Sequence, residues 1–152
     1  MNFLARLFDV VDLCSPAPVA SAHCDGPCGV YDPASARIAG EAVLSMTKKL
    51  VALDMQTPGA QNTYARFVAI KEEQAEDVKR ELNILWHDYF KPDHLETFPE
   101  LHSTFWNAAK QASKCKTTVD VAAGEELMSQ IEAIHTMFWK SKGRDIPWYT
   151  AS

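Results

Sequence analysis

Four apolar stripes at helical spacing, each cut off by proline or glycine, constrain this chain more than any other feature. Asp32-Pro33 starts the first: Asp suits an N-cap and Pro suits the first helical position. Val43, Met46, Leu50 and Leu53 then repeat in a three-four-three pattern, and Thr57-Pro58-Gly59 breaks it. The second helix is expected from about Gln61 to Tyr89, with Tyr64, Phe67, Val78, Leu82, Leu85, Trp86 and Tyr89 on its buried stripe. Lys91-Pro92 ends it. Phe98-Pro99-Glu100 opens a third, carrying Leu101, Phe105, Ala108 and Ala112. A fourth begins near Val119, carries Leu127, Ile131, Ile134 and Phe138, and closes at Gly143 and Pro147. No segment alternates with period two, so no strand is expected. Four amphipathic helices with short connections predict an all-α, antiparallel four-helix bundle over residues 34–152.

With 152 residues the chain is long enough to bury one real core. A formal charge of −5 and the lack of a basic stripe argue against a nucleic-acid partner. No apolar run reaches transmembrane length, so no membrane partner is expected. The four cysteines are not spaced as a disulfide scaffold, and Cys115, alone near a helix end, reads as an inert thiol.

Residues 1–22 read as a pro-segment. Arg6, Asp9 and Asp12 interrupt the apolar run that a secretory leader needs, while Phe3, Leu4, Leu7, Phe8, Val11 and Leu13 fall near helical spacing. Ala20-Ser21-Ala22 reads as a cleavage site, which keeps export in view, but removal inside the cell, and hence a cytoplasmic protein, is the favoured reading.

Residues 23–33 form a hook: His23-Cys24-Asp25-Gly26-Pro27-Cys28-Gly29-Val30-Tyr31-Asp32-Pro33. A cut after Ala22 would give His23 a free α-amine. That amine, the amide nitrogen and thiolate of Cys24, and the thiolate of Cys28 can then surround a metal in one plane. Gly26-Pro27 turns the chain back for Cys28, and the His23 ring can reach an axial position. Planar nitrogen and sulfur ligation suits Ni(II) or Cu(II), not tetrahedral Zn(II), and general chemistry does not choose between the first two. A Cys-x3-Cys pair alone is equally compatible with a reversible disulfide or two unrelated thiols. The preceding His, the cut before it and the Gly-Pro turn favour the metal.

The hook resembles the motif of the nickel superoxide dismutase family. The likeness continues in Ala34-Ser35-Ala36-Arg37-Ile38, in Ile70-Lys71-Glu72, in Leu85-Trp86-His87-Asp88-Tyr89-Phe90-Lys91-Pro92, in Phe98-Pro99-Glu100-Leu101-His102 and weakly in Phe138-Trp139. The resemblance implies disproportionation of superoxide to dioxygen and hydrogen peroxide by Ni(II)/Ni(III) cycling, with one nickel ion per subunit, in a homohexamer of four-helix bundles. It implies His23, Cys24 and Cys28 as nickel ligands, the His23 ring mainly in the oxidised state. Tyr31 and Tyr89 would line the access route, with phenols able to donate to a bound anion. Lys91 would supply local positive charge, needed because the net charge repels an anionic substrate. Asp25 would fix the hook by accepting backbone hydrogen bonds, and a cis Gly26-Pro27 bond is implied. A maturation protease cutting after Ala22 becomes a required partner.

One departure concerns support of the imidazole. Better-known members carry a glutamate on the first helix, held by an arginine on the second; Ala39 and Gln74 stand at the matching positions. A metal-bound imidazole wants an acceptor for its other N–H, and Glu41, a backbone carbonyl or water could serve. His87, His94, His102 and His135 show no metal-ligand spacing and read as structural or surface residues. A nickel or copper carrier and a Cys24–Cys28 thiol switch are the competing functions. A carrier has no need of Tyr31 and Tyr89 beside the hook, and a thiol switch needs neither the His nor the new N-terminus.

Overall fold

The computed structural model describes residues 29–151. The pro-segment and hook residues 1–28, including His23, Cys24, Asp25, Cys28 and the Gly26-Pro27 bond, lie outside the described residues. The elements are α1 (Ala34–Ala52), α2 (Ala60–Ile84), a π-helical turn (Leu85–Tyr89), α3 (Pro92–Thr97), α4 (Leu101–Thr117) and α5 (Val121–Ser141). No strand occurs among the described residues.

The long helices pack in a ring: α1 on α2, α2 on α4, α4 on α5 and α5 on α1. The core is what the stripes require. Val43, Val78, Leu82, Leu101, Ala108, Ala112, Leu127, Ile131, Ile134 and Phe138 are buried in one cluster. The α1–α5 seam is tight: a Cβ on Gly40 would sit 2.7 Å from Ile131 Cδ1 and 2.9 Å from Met128 Sδ. A side chain there would force the ends of Ile131 and Met128 to move.

Three details depart from the periodic reading. Tyr64, expected on the buried stripe, is 39% exposed, although Ala60 at the start of the same helix is buried. The second helix does reach Tyr89, but its last turn is π-helical, with the Phe90 N–H donating to Leu85 O at 3.0 Å. A short helix, α3, precedes α4, which opens at Leu101 rather than Phe98.

Two polar features fasten the bundle. Lys71 on α2 is buried, and its ammonium donates to Cys115 O, to Lys116 O at 2.8 Å and to Thr118 O at 3.0 Å. These are carbonyls that the end of a helix leaves without intrahelical donors. Burial lowers the Lys71 pKa from its ordinary value. Cys115 is buried beside it, and burial pushes its thiol pKa up.

The second fastening is the segment after α5. His135 Nε2 lies 2.9 Å from Ile146 O and must donate, since a carbonyl only accepts. The Trp148 ring stands 5.3 Å from the His135 ring. Tyr149 lies under the Arg37 guanidinium at 4.3 Å, and the Ala151 N–H donates to Glu41 Oε2 at 2.7 Å. Residues 146–151 thus form a strap from α5 back to α1.

Candidate metal centre

Gly29 is the first described residue, and its φ of +67° is a left-handed conformation natural to glycine. Asp32 lies three residues on, and its Oδ1 accepts the Ala34 N–H at 2.8 Å, which starts α1. Gly29 and Tyr31 thus hang on the fixed N-terminus of a buried helix. Across from them the π turn delivers Tyr89 at the end of α2. The extra residue of a π turn rotates the residues after it relative to a plain α-helix. The Tyr31 and Tyr89 ring centroids lie 5.7 Å apart.

Gly29, Tyr31, Tyr89 and Lys91 line one cavity of about 530 Å³ with Asp88, Asp93, His94 and Lys142. Three of the sequence-expected residues, Tyr31, Tyr89 and Lys91, therefore meet at one place. Tyr89 is held on several sides: Phe138 at 4.5 Å, Phe90 at 4.9 Å and a stacked His94 at 5.6 Å between centroids. Its hydroxyl lies 2.6 Å from Ser141 Oγ. The Lys91 N–H donates to His94 Nδ1 at 3.0 Å, and the His94 N–H donates to Lys91 O at 3.0 Å. This reciprocal pair fixes the loop that carries Lys91. With Nδ1 accepting, the neutral His94 ring carries its proton on Nε2. The Lys142 ammonium lies 5.3 Å from the Tyr89 centroid and 4.8 Å from that of Phe138.

His94, Lys142 and Ser141 are the cavity neighbours that sequence reasoning missed. Their signal was positional. Ser141 and Lys142 come three and four residues after Phe138, and so share its helical face. His94 stands three residues after Lys91, where it can close the turn.

The second-helix position expected to hold an arginine is occupied by Gln74, whose Nε2 donates to Asp77 Oδ2 at 3.0 Å. Ala39 is buried in the apolar core. Both Glu41 carboxylate oxygens have partners: Arg37 on one and the Ala151 N–H on the other. His87 and His102 border a separate groove of about 360 Å³ between α2 and α4, walled by Trp86, Phe105 and Trp106. Among the described residues no group of three or more His, Cys, Asp or Glu side chains could hold a metal ion.

The hook expected to hold a metal lies outside the described residues. The donor set there is a histidine and two cysteines, the soft and borderline ligands that nickel or copper prefers. Cys28 is the residue next in sequence to Gly29, which lines the cavity. The bundle and its cavity define a class: all-helical bundles with a polar cavity, lined by tyrosine and lysine, beside the N-terminus of the first helix.

Comparison with known proteins narrows that class. Residues 18–142 match the family model for nickel-containing superoxide dismutase. A superoxide dismutase [Ni] of Streptomyces seoulensis is 42% identical over 139 residues, covering 91% of this chain and 98% of the relative, and that of Streptomyces coelicolor gives the same figures. A crystal structure of a nickel-containing superoxide dismutase in the oxidised state of nickel ligation superposes with a TM-score of 0.72 at 43% identity, over 80% of this chain and 99% of that one. A native nickel superoxide dismutase structure also gives 0.72, at 40% identity and the same coverage. The chain belongs to the nickel-containing superoxide dismutase family.

Proposed function

We propose that this chain disproportionates superoxide with one nickel ion per subunit, held by His23, Cys24 and Cys28 after a protease cuts behind Ala22. Nickel, when bound, supplies the one-electron Ni(II)/Ni(III) couple. Over a full cycle two superoxide anions and two protons give dioxygen and hydrogen peroxide.

The residues of the chain carry the rest. The His23 amine and ring, the Cys24 thiolate and amide, and the Cys28 thiolate hold the ion, and Asp25 braces the hook through backbone hydrogen bonds. Tyr31 and Tyr89 pack ring against ring at 5.7 Å and together wall one side of the approach. Lys91 lines the same cavity and offsets locally the repulsion between a net-negative chain and an anion. Asp88 and Asp93 on that wall keep the local field from becoming strongly positive. The observation that carries this reading is the cavity itself. It opens one residue beyond Cys28 and is walled by the two tyrosines and Lys91.

No described helix is long and apolar enough to cross a membrane. A cytoplasmic homohexamer is the assembly and location that accord with family membership and with the interrupted leader.

The test compares the chain starting at His23 with the full chain, for nickel content and superoxide removal. Full activity in the uncut chain would overturn the requirement for the free amine. His23→Ala is expected to keep partial nickel binding with little turnover, whereas Cys24→Ser or Cys28→Ser abolishes both. Nickel binding must displace thiol and amine protons, so nickel content falls as pH drops.

A further inference from the structure

Tyr89 lines the cavity, and the hydrogen bonds around its hydroxyl fix where its proton lies. Its hydroxyl lies 2.6 Å from Ser141 Oγ, a bond in which either oxygen could donate. Ser141 Oγ also lies 2.7 Å from Phe138 O. A carbonyl cannot donate, and a serine hydroxyl has a single proton. That proton is on the Phe138 bond, so in the Tyr89 bond the phenol must donate.

We propose that Ser141 is a positioning residue that directs the Tyr89 proton out of the cavity, so that Tyr89 meets the cavity's contents as a hydrogen-bond acceptor. The inference rests on the reading that this cavity is where superoxide reacts. It also assigns Tyr89 a role other than donation to an anion.

The donor count has two consequences. Toward an anion, the Tyr89 oxygen offers only lone pairs. Attraction must then come from cationic groups on the same wall, namely Lys91 and Lys142. Toward water or hydrogen peroxide, both of which carry O–H donors, the same oxygen is a good acceptor. Tyr89 thereby distinguishes protonated from anionic oxygen species at equal size. The Tyr89–Ser141–Phe138 chain also ends on a backbone carbonyl. It is no wire for the two protons that peroxide formation consumes, and they arrive by another route.

Neutron diffraction from deuterium-exchanged crystals of the full chain reads the proton directly. The expected result is a deuteron on the Tyr89 oxygen pointing at Ser141 Oγ. A Tyr89 deuteron pointing into the cavity, with the Ser141 deuteron directed at the Tyr89 oxygen, overturns the proposal. Azide inhibition of the cut, nickel-loaded enzyme gives the functional readout. In Ser141→Ala the phenol is released to donate to the anion, and half-inhibition is expected at a roughly tenfold lower azide concentration, the scale of one hydrogen bond to a charged group. Ser141→Thr, which keeps the hydroxyl, retains the original azide sensitivity. The effect disappears when Ser141→Ala is placed in a Tyr89→Phe background. Equal shifts in both backgrounds, or no shift in either, overturn the proposal. If the cut chain removes no superoxide, the functional reading has failed, and the deuteron position still decides the direction of the bond.

Discussion

Lys71 is 1% exposed, and a buried ammonium is tolerated only when its protons are used. All three go to carbonyls around the end of α4. Lys71→Met keeps the aliphatic stem but strands those carbonyls. It is expected to destabilise the fold by about 3 kcal/mol, read from urea unfolding. Cys115 beside it supplies a pH dependence. Burial raises its thiol pKa, so above the ordinary thiol pKa the unfolded chain loses a proton that the folded one keeps. Stability is complete below the ordinary thiol range and declines as pH climbs through it toward the raised value. Urea midpoints taken at rising alkaline pH should fall more steeply for the parent chain than for Cys115→Ala. By contrast, the Lys116–Glu76 pair at 2.8 Å, whose hydrogen bond lowers the Glu76 pKa, is solvent-exposed and adds little at physiological salt. The inert reading of Cys115 could be made from sequence because a lone thiol has few alternatives. The role of Lys71 could not, because nothing local to residue 71 reveals which helix end lies above it.

At the scale of elements, the long helices were legible because their apolar residues sit on one face and their ends carry proline or glycine. What escaped was non-periodic. The π turn at Leu85–Tyr89 leaves no composition signal, since a single extra residue changes the phase of a stripe and not its content. It nevertheless sets where Tyr89 faces. Inserting an alanine between Trp86 and His87 exceeds what the π turn already absorbs and should swing Tyr89 by about 100° around the axis. Superoxide removal should be lost while the circular dichroism of the bundle persists. The α1–α5 seam offers a second check. Gly40→Ala would place a methyl against Ile131 and Met128, and with the better helix propensity of alanine offsetting part of the crowding it is expected to cost about 1 kcal/mol by thermal or urea unfolding. The candidate site was legible in part. Tyr31, Tyr89 and Lys91 could be named from motif likeness, whereas Ser141 and Lys142 reach Tyr89 from an element far away in sequence, and His94 joins through the turn it closes with Lys91.

For the whole molecule, the ring of four helices is closed by the strap of residues 146–151, which begins after the last residue matched by the family model. Ile146 and Trp148 are partly buried against the core, and Tyr149 and Ala151 engage the Arg37–Glu41 pair of α1. Ending the chain after Arg144 is expected to lower stability by about 2 kcal/mol through lost apolar burial, measured by urea unfolding. Hydrogen exchange should quicken most in the first turns of α1, next to the proposed nickel site. The sequence carried Pro147 as a helix stop but no period that would tell a docked segment from a loose tail. The strap can also be seen as a peptide ligand that happens to share a chain with its receptor. A bundle ending at Arg144 presents the vacated groove, and a synthetic peptide of residues 145–151 offered in trans should bind there and restore the slow exchange of α1.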